Sequence, residues 1–274
     1  MSAIITAVIS VTSIGLISAV VLGIAFKFMY VRVDERIELI QDCLPGVNCG
    51  ACGYPGCQGY ATALVSDKKT KNNLCTPGGK SAMVRISELL GVETEAVERM
   101  TAIVHCRGDC NTQQKKMDYQ GIHSCAAAKL LFGGEGACAF GCLGYGDCKK
   151  ICPRNAICVE NGLARINSKL CIGCGLCVRM CPGSLITIEK SGAAVLVLCQ
   201  SNEKGSLVRK KCTKGCIGCG KCVRGCLSDA IVIEDNLAVI DHEKCSLCGG
   251  CSEVCVTGSI LRTGTGRFEI PEAN

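Results

Sequence analysis

Three stretches in the C-terminal half of the chain repeat one cysteine spacing, CxxCxxCxxxC. They are Cys171, Cys174, Cys177 and Cys181; Cys216, Cys219, Cys222 and Cys226; and Cys245, Cys248, Cys251 and Cys255. The 274 residues hold 27 cysteines, an odd number that disulfides within one chain cannot use up. Disulfide scaffolds are also short and secreted. Thiols recurring every third or fourth residue can instead converge on metal in a reducing compartment. With no tryptophan, five tyrosines and five phenylalanines, a large aromatic core is excluded. Metal centres can stand in for the apolar core that units of this size cannot build.

This spacing resembles that of bacterial ferredoxins, where three cysteines of a run grip one [4Fe–4S] cubane and the fourth crosses to the neighbouring one. An earlier run, Cys138, Cys142, Cys148 and Cys152, is irregular until it is shifted by 74 residues. It then falls on Cys212, Cys216, Cys222 and Cys226, while Cys171, Cys174, Cys177 and Cys181 fall on Cys245, Cys248, Cys251 and Cys255. Cys125 falls on Cys199. AICVENGLARI and AIVIEDNLAVI align as strand–turn–strand segments. The pattern is a duplicated two-cluster ferredoxin unit.

The copies differ at one ligand position, where the first has Tyr145 and the second Cys219. Cys138 is the nearest thiol that could replace the missing one. The expected sets are Cys138, Cys142, Cys148 and Cys181; Cys152, Cys171, Cys174 and Cys177; Cys216, Cys219, Cys222 and Cys255; and Cys226, Cys245, Cys248 and Cys251. Cys43 and Cys158 read as small buried hydrophobes. Cys106, Cys110 and Cys125 are candidate ligands of a further cluster, completed by Cys138, or by Cys199 or Cys212 brought close by folding.

The N-terminus carries a different signal. Ala3 to Phe26 is 24 residues without a charge, about 36 Å as a helix against a hydrocarbon core of about 30 Å. No basic residue precedes it and no small-x-small cleavage site follows, so a retained transmembrane helix is expected rather than a signal peptide. Lys27, Arg32 and Arg36 follow it, which places the body on the cytoplasmic side of the cell membrane. Gly15, Ala19 and Gly23 form a small-residue stripe that suits contact with another membrane helix, or simply reflects membrane-helix composition.

Beyond it, Asp34 to Cys43 reads as a short amphipathic helix, followed by Cys49, Cys52 and Cys57 in NCGACGYPGC and Cys75 in CTPGG. Intervals of x2, x4 and x17 give no second tight pair, which favours [4Fe–4S] over tetrahedral zinc. These motifs resemble the small four-cysteine iron–sulfur domain of Rnf complex B subunits and of some corrinoid and CO-metabolism proteins. Its position directly behind a single membrane helix resembles the Rnf protein.

Nothing else carries catalytic chemistry. His105, His123 and His242 have no paired acid or nucleophile in sequence, and neither a dinucleotide fingerprint nor a P-loop occurs. Gly133 to Gly136 reads as a turn. Flavin or nicotinamide chemistry is therefore expected on another subunit. The formal charge of +6 is no argument for nucleic acid: twenty cluster thiolates against ten positive charges on five [4Fe–4S]²⁺ cores would bring it to about −4. Lys68, Lys69 and Lys71, Lys115 and Lys116, and Arg209, Lys210 and Lys211 could steer an acidic redox partner or form a solvated face.

The expected fold class is α+β: a transmembrane helix (1–30), a four-cysteine [4Fe–4S] domain (31–92), a cysteine-bearing connecting segment (93–137) and two ferredoxin-like units (138–198 and 199–274). The whole order resembles the Rnf B subunit in its longer form. That resemblance implies at least five [4Fe–4S] clusters, with a sixth if Cys106, Cys110 and Cys125 take part. It implies electrons received from reduced ferredoxin, relayed to membrane and flavin-bearing partner subunits, and coupled through the complex to NAD⁺ reduction and Na⁺ or H⁺ transport. The C-terminal clusters are the expected input and the Cys49–Cys75 cluster the output. The rivals are a membrane-tethered polyferredoxin without ion coupling and the electron-input subunit of another enzyme, such as a corrinoid reductase.

Overall fold

The structure, a computed structural model, describes residues 2–29, 34–67, 69–93, 98–192 and 195–263. Helix α1 (Ser2–Met29) covers the uncharged run with its apolar side chains outward. By length and composition it is the one helix among the described residues that could cross a membrane. Thr12 Oγ1 donates to Val8 O, and the Ser10 and Ser13 hydroxyls donate to the carbonyls of Ala7 and Ser10. Its polar side chains therefore find partners within the helix, as an apolar surrounding demands. Arg32 and Lys68 lie outside the described residues.

The four-cysteine module is three helices, α2 (Glu35–Cys43), α3 (Gly56–Ser66) and α4 (Gly79–Leu90). Asp34 caps α2 by accepting from the Arg36 N–H at 3.0 Å, and Pro45 bars continuation beyond Leu44. The helices close on Ile40, Tyr60, Ala61 and Ile86. The buried Tyr60 hydroxyl donates to Lys71 O at 2.7 Å and accepts from the Leu74 N–H at 3.3 Å, which pins the loop carrying Cys75. Cys43 packs in this core with its thiol on Leu39 O, as a small hydrophobe would.

Two antiparallel strand pairs frame each ferredoxin unit. In the first, β1 (Met100–Val104) pairs with β4 (Ile186–Lys190), and β2 (Ile157–Glu160) with β3 (Leu163–Ile166). In the second, β5 (Val195–Val197) pairs with β8 (Ile260–Arg262), and β6 (Ile231–Glu234) with β7 (Leu237–Ile240). The aligned strand–turn–strand segments are the two hairpins, with Ile157 opposite Ile166 and Ile231 opposite Ile240. Their two-residue turns, Asn161-Gly162 and Asp235-Asn236, have positive φ throughout, which matches the strand twist. Gly144 and Gly218 let a cysteine loop pass over each turn; a Cβ there would meet Gly162 O and Asn236 O.

This pairing corrects the expected boundaries. β1 lies in the stretch taken as a connector and β5 before the boundary at 198, yet each completes the outer sheet of the unit that follows it. Both strands precede their unit's first cysteine run, so no cysteine spacing marks them. The shift differs there too. Val104 faces Ile186 as Val197 faces Ile260, so Cys106, not Cys125, is the counterpart of Cys199. The first unit thus carries extra residues between its opening strand and its first run.

Those residues dock on the second unit. Gln113 forms a bridge with Cys212, Thr213 N–H donates to Thr112 O at 3.0 Å, and Gln114 N–H to Lys211 O at 2.9 Å. His105 Nδ1 donates to Val197 O at 2.9 Å while Nε2 meets Thr187 Oγ1 at 2.8 Å. Arg107 reaches Gly258 O.

Candidate metal centres

Short helices set the thiols. α6 (Asp147–Lys150) and α7 (Leu176–Met180) carry Cys148 and Cys177 of the first unit, and α8 (Lys221–Arg224) and α9 (Gly250–Glu253) carry Cys222 and Cys251 of the second. Each starts after a left-handed glycine, Gly146, Gly175, Gly220 or Gly249, at the point where the loop turns its thiols inward.

Among the described residues, five cavities lined by these thiols follow from this arrangement. Cys49, Cys52, Cys57 and Cys75 line the first, inside the helical module. Cys152, Cys171, Cys174 and Cys177 line a second, and Cys216, Cys219, Cys222 and Cys255 a third. Around Cys251 stand Cys245, Cys226 and Cys248, the fourth expected set.

Two cavities depart from expectation. Cys142, Cys148 and Cys181 are joined by Cys125, not by Cys138. Cys125 opens α5 (Cys125–Leu130), and the Asp147 carboxylate holds that helix by accepting from Ser124 Oγ at 2.8 Å and the Ala126 N–H at 3.1 Å. Burial raises the Asp147 pKa, but these bonds and Lys150 outweigh it and hold the carboxyl below its ordinary range. Tyr145, where the missing cysteine would stand, packs against Tyr119 and His123 of the extra residues. Cys138 instead joins Cys106, Cys199 and Cys212 at the seam between the units. Each unit gives this set two thiols: one two residues past its first strand, and one four residues before its first run. Of the three spare candidates, Cys106 joins the seam and Cys125 the neighbouring set, while Cys110 is exposed. Cys158 stays half-buried on β2, its thiol toward Glu160.

The donor sets fit cubanes. None of the described cysteines is in a disulfide. Among the described residues no three Cys, His, Asp or Glu side chains converge tightly enough for a single ion, as zinc with Zn–S bonds of about 2.3 Å would need. Burial, with the neighbouring thiols, pushes Cys148 and Cys177 up to about 12 and Cys75 and Cys251 to about 11. Thiolates in such cavities need the positive charge that bound iron supplies. Backbone donors already aim at sulfur: Ala102 N–H at Cys171, Ala156 N–H at Cys152 and Leu185 N–H at Cys181, all at 3.3 to 3.4 Å.

The six sets form a file. Cys174 lies within electrostatic reach of Cys49, and Cys148 within reach of Cys177. The Cys142 N–H donates to Cys106 Sγ at 3.4 Å. Across the seam the repeat reproduces this bond, from Cys216 N–H to Cys199. Cys222 lies within reach of Cys251. The helical module is one end; the Cys226, Cys245, Cys248 and Cys251 set is the other. His105 is engaged at the seam, and His123 packs at a tilt against Tyr145.

Residues 44–77 match a family model for an Fe-S cluster, and residues 170–231 and 215–259 match models of a 4Fe-4S dicluster domain. The match at 170–231 bridges the second and third runs by spacing, whereas the thiol geometry pairs the first run with the second and the third with the fourth. The chain is 44% identical over 266 residues to the B subunit of the proton-translocating ferredoxin:NAD(+) oxidoreductase complex of Clostridium ljungdahlii, covering 95% of this chain and 93% of that one. It is 39% identical over 242 residues to the B subunit of the Na(+)-translocating complex of Acetobacterium woodii (88% and 72%). It is 36% identical over 255 residues to the B subunit of the ion-translocating oxidoreductase complex of Methanosarcina acetivorans (93% and 96%). At these identities, over most of its length, the chain belongs to the B-subunit family of ion-translocating ferredoxin:NAD(+) oxidoreductase (Rnf) complexes.

Proposed function

We propose that this chain is the iron–sulfur electron-transfer subunit of an Rnf complex, anchored by α1 with its body on the cytoplasmic side. It takes electrons from reduced ferredoxin and passes them to partner subunits of the complex, where flavin chemistry, NAD⁺ reduction and Na⁺ or H⁺ transport take place. Six four-cysteine sets would hold six [4Fe–4S] clusters: those starting at Cys49, Cys125, Cys152, Cys216 and Cys226, and the seam set of Cys106, Cys138, Cys199 and Cys212. When bound, such clusters supply one-electron carriers whose potentials follow charge, N–H···S bonds and exposure.

The observation that carries this reading is the unbroken file of thiol sets from the helical module to the C-terminal set. The residues between them do the remaining work. Ile157, Ile186, Ile231 and Ile260 are buried beside the thiols and keep water out. The N–H donors fix the sulfurs in place. In the last two sets of the file Cys219 and Cys248 are exposed, which suits collection from a soluble carrier. The module is the segment tied in sequence to α1, which suits delivery at the membrane.

Inverted membrane vesicles with and without the chain test the role. Ferredoxin-dependent NAD⁺ reduction and the ion uptake that accompanies it are both expected to vanish without it, and Na⁺ dependence would identify the ion. Persistence of both would leave the tethered polyferredoxin. The reconstituted chain is expected to hold about 24 irons, four per cluster; about 20 would remove the seam cluster from the proposal.

A further inference from the structure

The file has one joint between separately built parts: the helical module and the first ferredoxin unit. Their thiol sets approach where Cys174 lies within electrostatic reach of Cys49. Arg179, on α7 between Cys177 and Cys181, crosses this joint and donates through its guanidinium to the Cys49 carbonyl. The loop it reaches is shaped for close approach. Gly50 has φ of +70°, and a Cβ there would lie 3.7 Å from the Arg179 guanidinium.

The internal repeat shows that what this position reaches depends on the run: in the third run its counterpart Arg224 donates within its own loop, to the Cys219 carbonyl at 3.5 Å. Shifted by 74 residues, the Arg179 position in the second unit is Glu253, exposed and likewise set between Cys251 and Cys255. Shifted the same way, Cys174 becomes Cys248, which is exposed and faces no module. Arg179 differs from both counterparts in reaching across to another thiol set, since Arg224 stays on its own loop and Glu253 is exposed. The physical need is plain. Two neighbouring sets of four thiolates around [4Fe–4S]²⁺ each carry net negative charge, and a cation at their boundary offsets that repulsion while its hydrogen bond fixes the approach.

We propose that Arg179 is a positioning residue that latches the four-cysteine module onto the first ferredoxin unit and so sets the gap between the Cys49 and Cys174 thiol sets. This rests on the reading that both sets hold [4Fe–4S] clusters. The transfer it serves moves one electron, one centre being oxidised as its neighbour is reduced, with no bond made and no proton moved. Without the latch the module keeps its own core of Ile40, Tyr60 and Ile86, but the joint opens.

The test uses the full chain in detergent, reconstituted with iron and sulfide, as wild type, Arg179→Ala and Arg179→Lys. Amide exchange over residues 46–53 reads the joint, and the magnetic splitting between neighbouring reduced centres in electron paramagnetic resonance reads the gap. In Arg179→Ala, faster exchange and loss of the splitting between the module's centre and its neighbour are expected at unchanged iron content, with partial recovery in Arg179→Lys. Should Arg179→Ala lose iron, Arg179→Lys decides by the same two readings. Exchange and splitting equal to wild type in the decisive variant would overturn the latch. A wild type without any [4Fe–4S] signal would overturn the cluster reading itself, a distinct result.

Discussion

The two ferredoxin units share hairpins in the same register and the same crossing of thiols between runs, but they differ in what covers their outer cysteines. In the second unit Cys219 and Cys248 are exposed. In the first, Cys174 faces the helical module, and Tyr145, the counterpart of Cys219, lies against Tyr119 and His123 while Cys125 completes the set. In the proposed path one framework is thus an interior member and the other an open terminus. The difference rests on two additions: a module docked on one loop, and extra residues after β1 that both deliver Cys125 and build the seam with the second unit.

The sharpest way to break this comparison is at Cys125. Cys125→Ser is expected to remove the middle set of the first unit, with a loss of about four irons per chain, and to interrupt the file between the module and the seam. Cys138→Ser should also cost about four irons, but from the seam set, leaving the one around Cys148 intact. The two losses are distinguishable by which centres still couple magnetically. Restoring the regular run offers the converse experiment. Tyr145→Cys in the Cys125→Ser background recreates the spacing of Cys216, Cys219 and Cys222, and iron content is expected to return to the wild-type level. If the double variant stays low while Cys138→Ser empties the set around Cys148, the assignment made from spacing alone was right and the geometry wrong.

That contrast also marks what was legible in the sequence. The 74-residue shift gives both hairpins, and three of the four expected ferredoxin sets name thiols that the structure also groups, because within a run the loop fixes which sulfurs can face one centre. It fails at Cys125 and Cys138, where a ligand comes from outside the run and no spacing rule applies. Two weak signals were present. Val104-His105-Cys106 repeats as Val197-Leu198-Cys199 at a different shift, and Asp147 stands where the second unit has Lys221. No cysteine spacing marks the strands β1 and β5, because an outer strand upstream of its unit is defined by a partner 63 to 90 residues away, a contact that only folding reveals.

Asp147 gives a smaller test of the same comparison. It replaces a lysine with the acceptor that holds the start of α5, so Asp147→Asn should loosen Cys125 without removing any ligand. Hydrogen bonds to a charged partner contribute about 1.5–3 kcal/mol, and part of that survives in asparagine. The expected result is a loss of about 1–2 kcal/mol in stability, with the centre at Cys125 being the first to give up iron to a chelator. The equivalent exchange in the second unit, Lys221→Ala, should leave all centres equally resistant, since no inserted helix leans on that position. Equal lability in both variants would mean that α5 is held by something other than the Asp147 carboxylate.

The smallest effect is expected on the outer surface of the same insertion. Lys115 Nζ meets Glu135 Oε2 at 3.3 Å, but the lysine side chain is 60% exposed, and the backbone bridge between Lys115 and Gly136 already joins the two segments. An exposed pair of this kind contributes about 0–1 kcal/mol and is screened by salt. Lys115→Ala should therefore leave iron content, chelator resistance and the thermal midpoint nearly as in wild type. The cover over Cys125 would then rest on backbone pairing, the Asp147 cap and the Tyr145 ring contacts, all of them inward. A salt-sensitive loss of the Cys125 centre in Lys115→Ala would reverse that ordering and make surface charge the fastening of the insertion. The first unit would then differ from the second in its electrostatics more than in its packing.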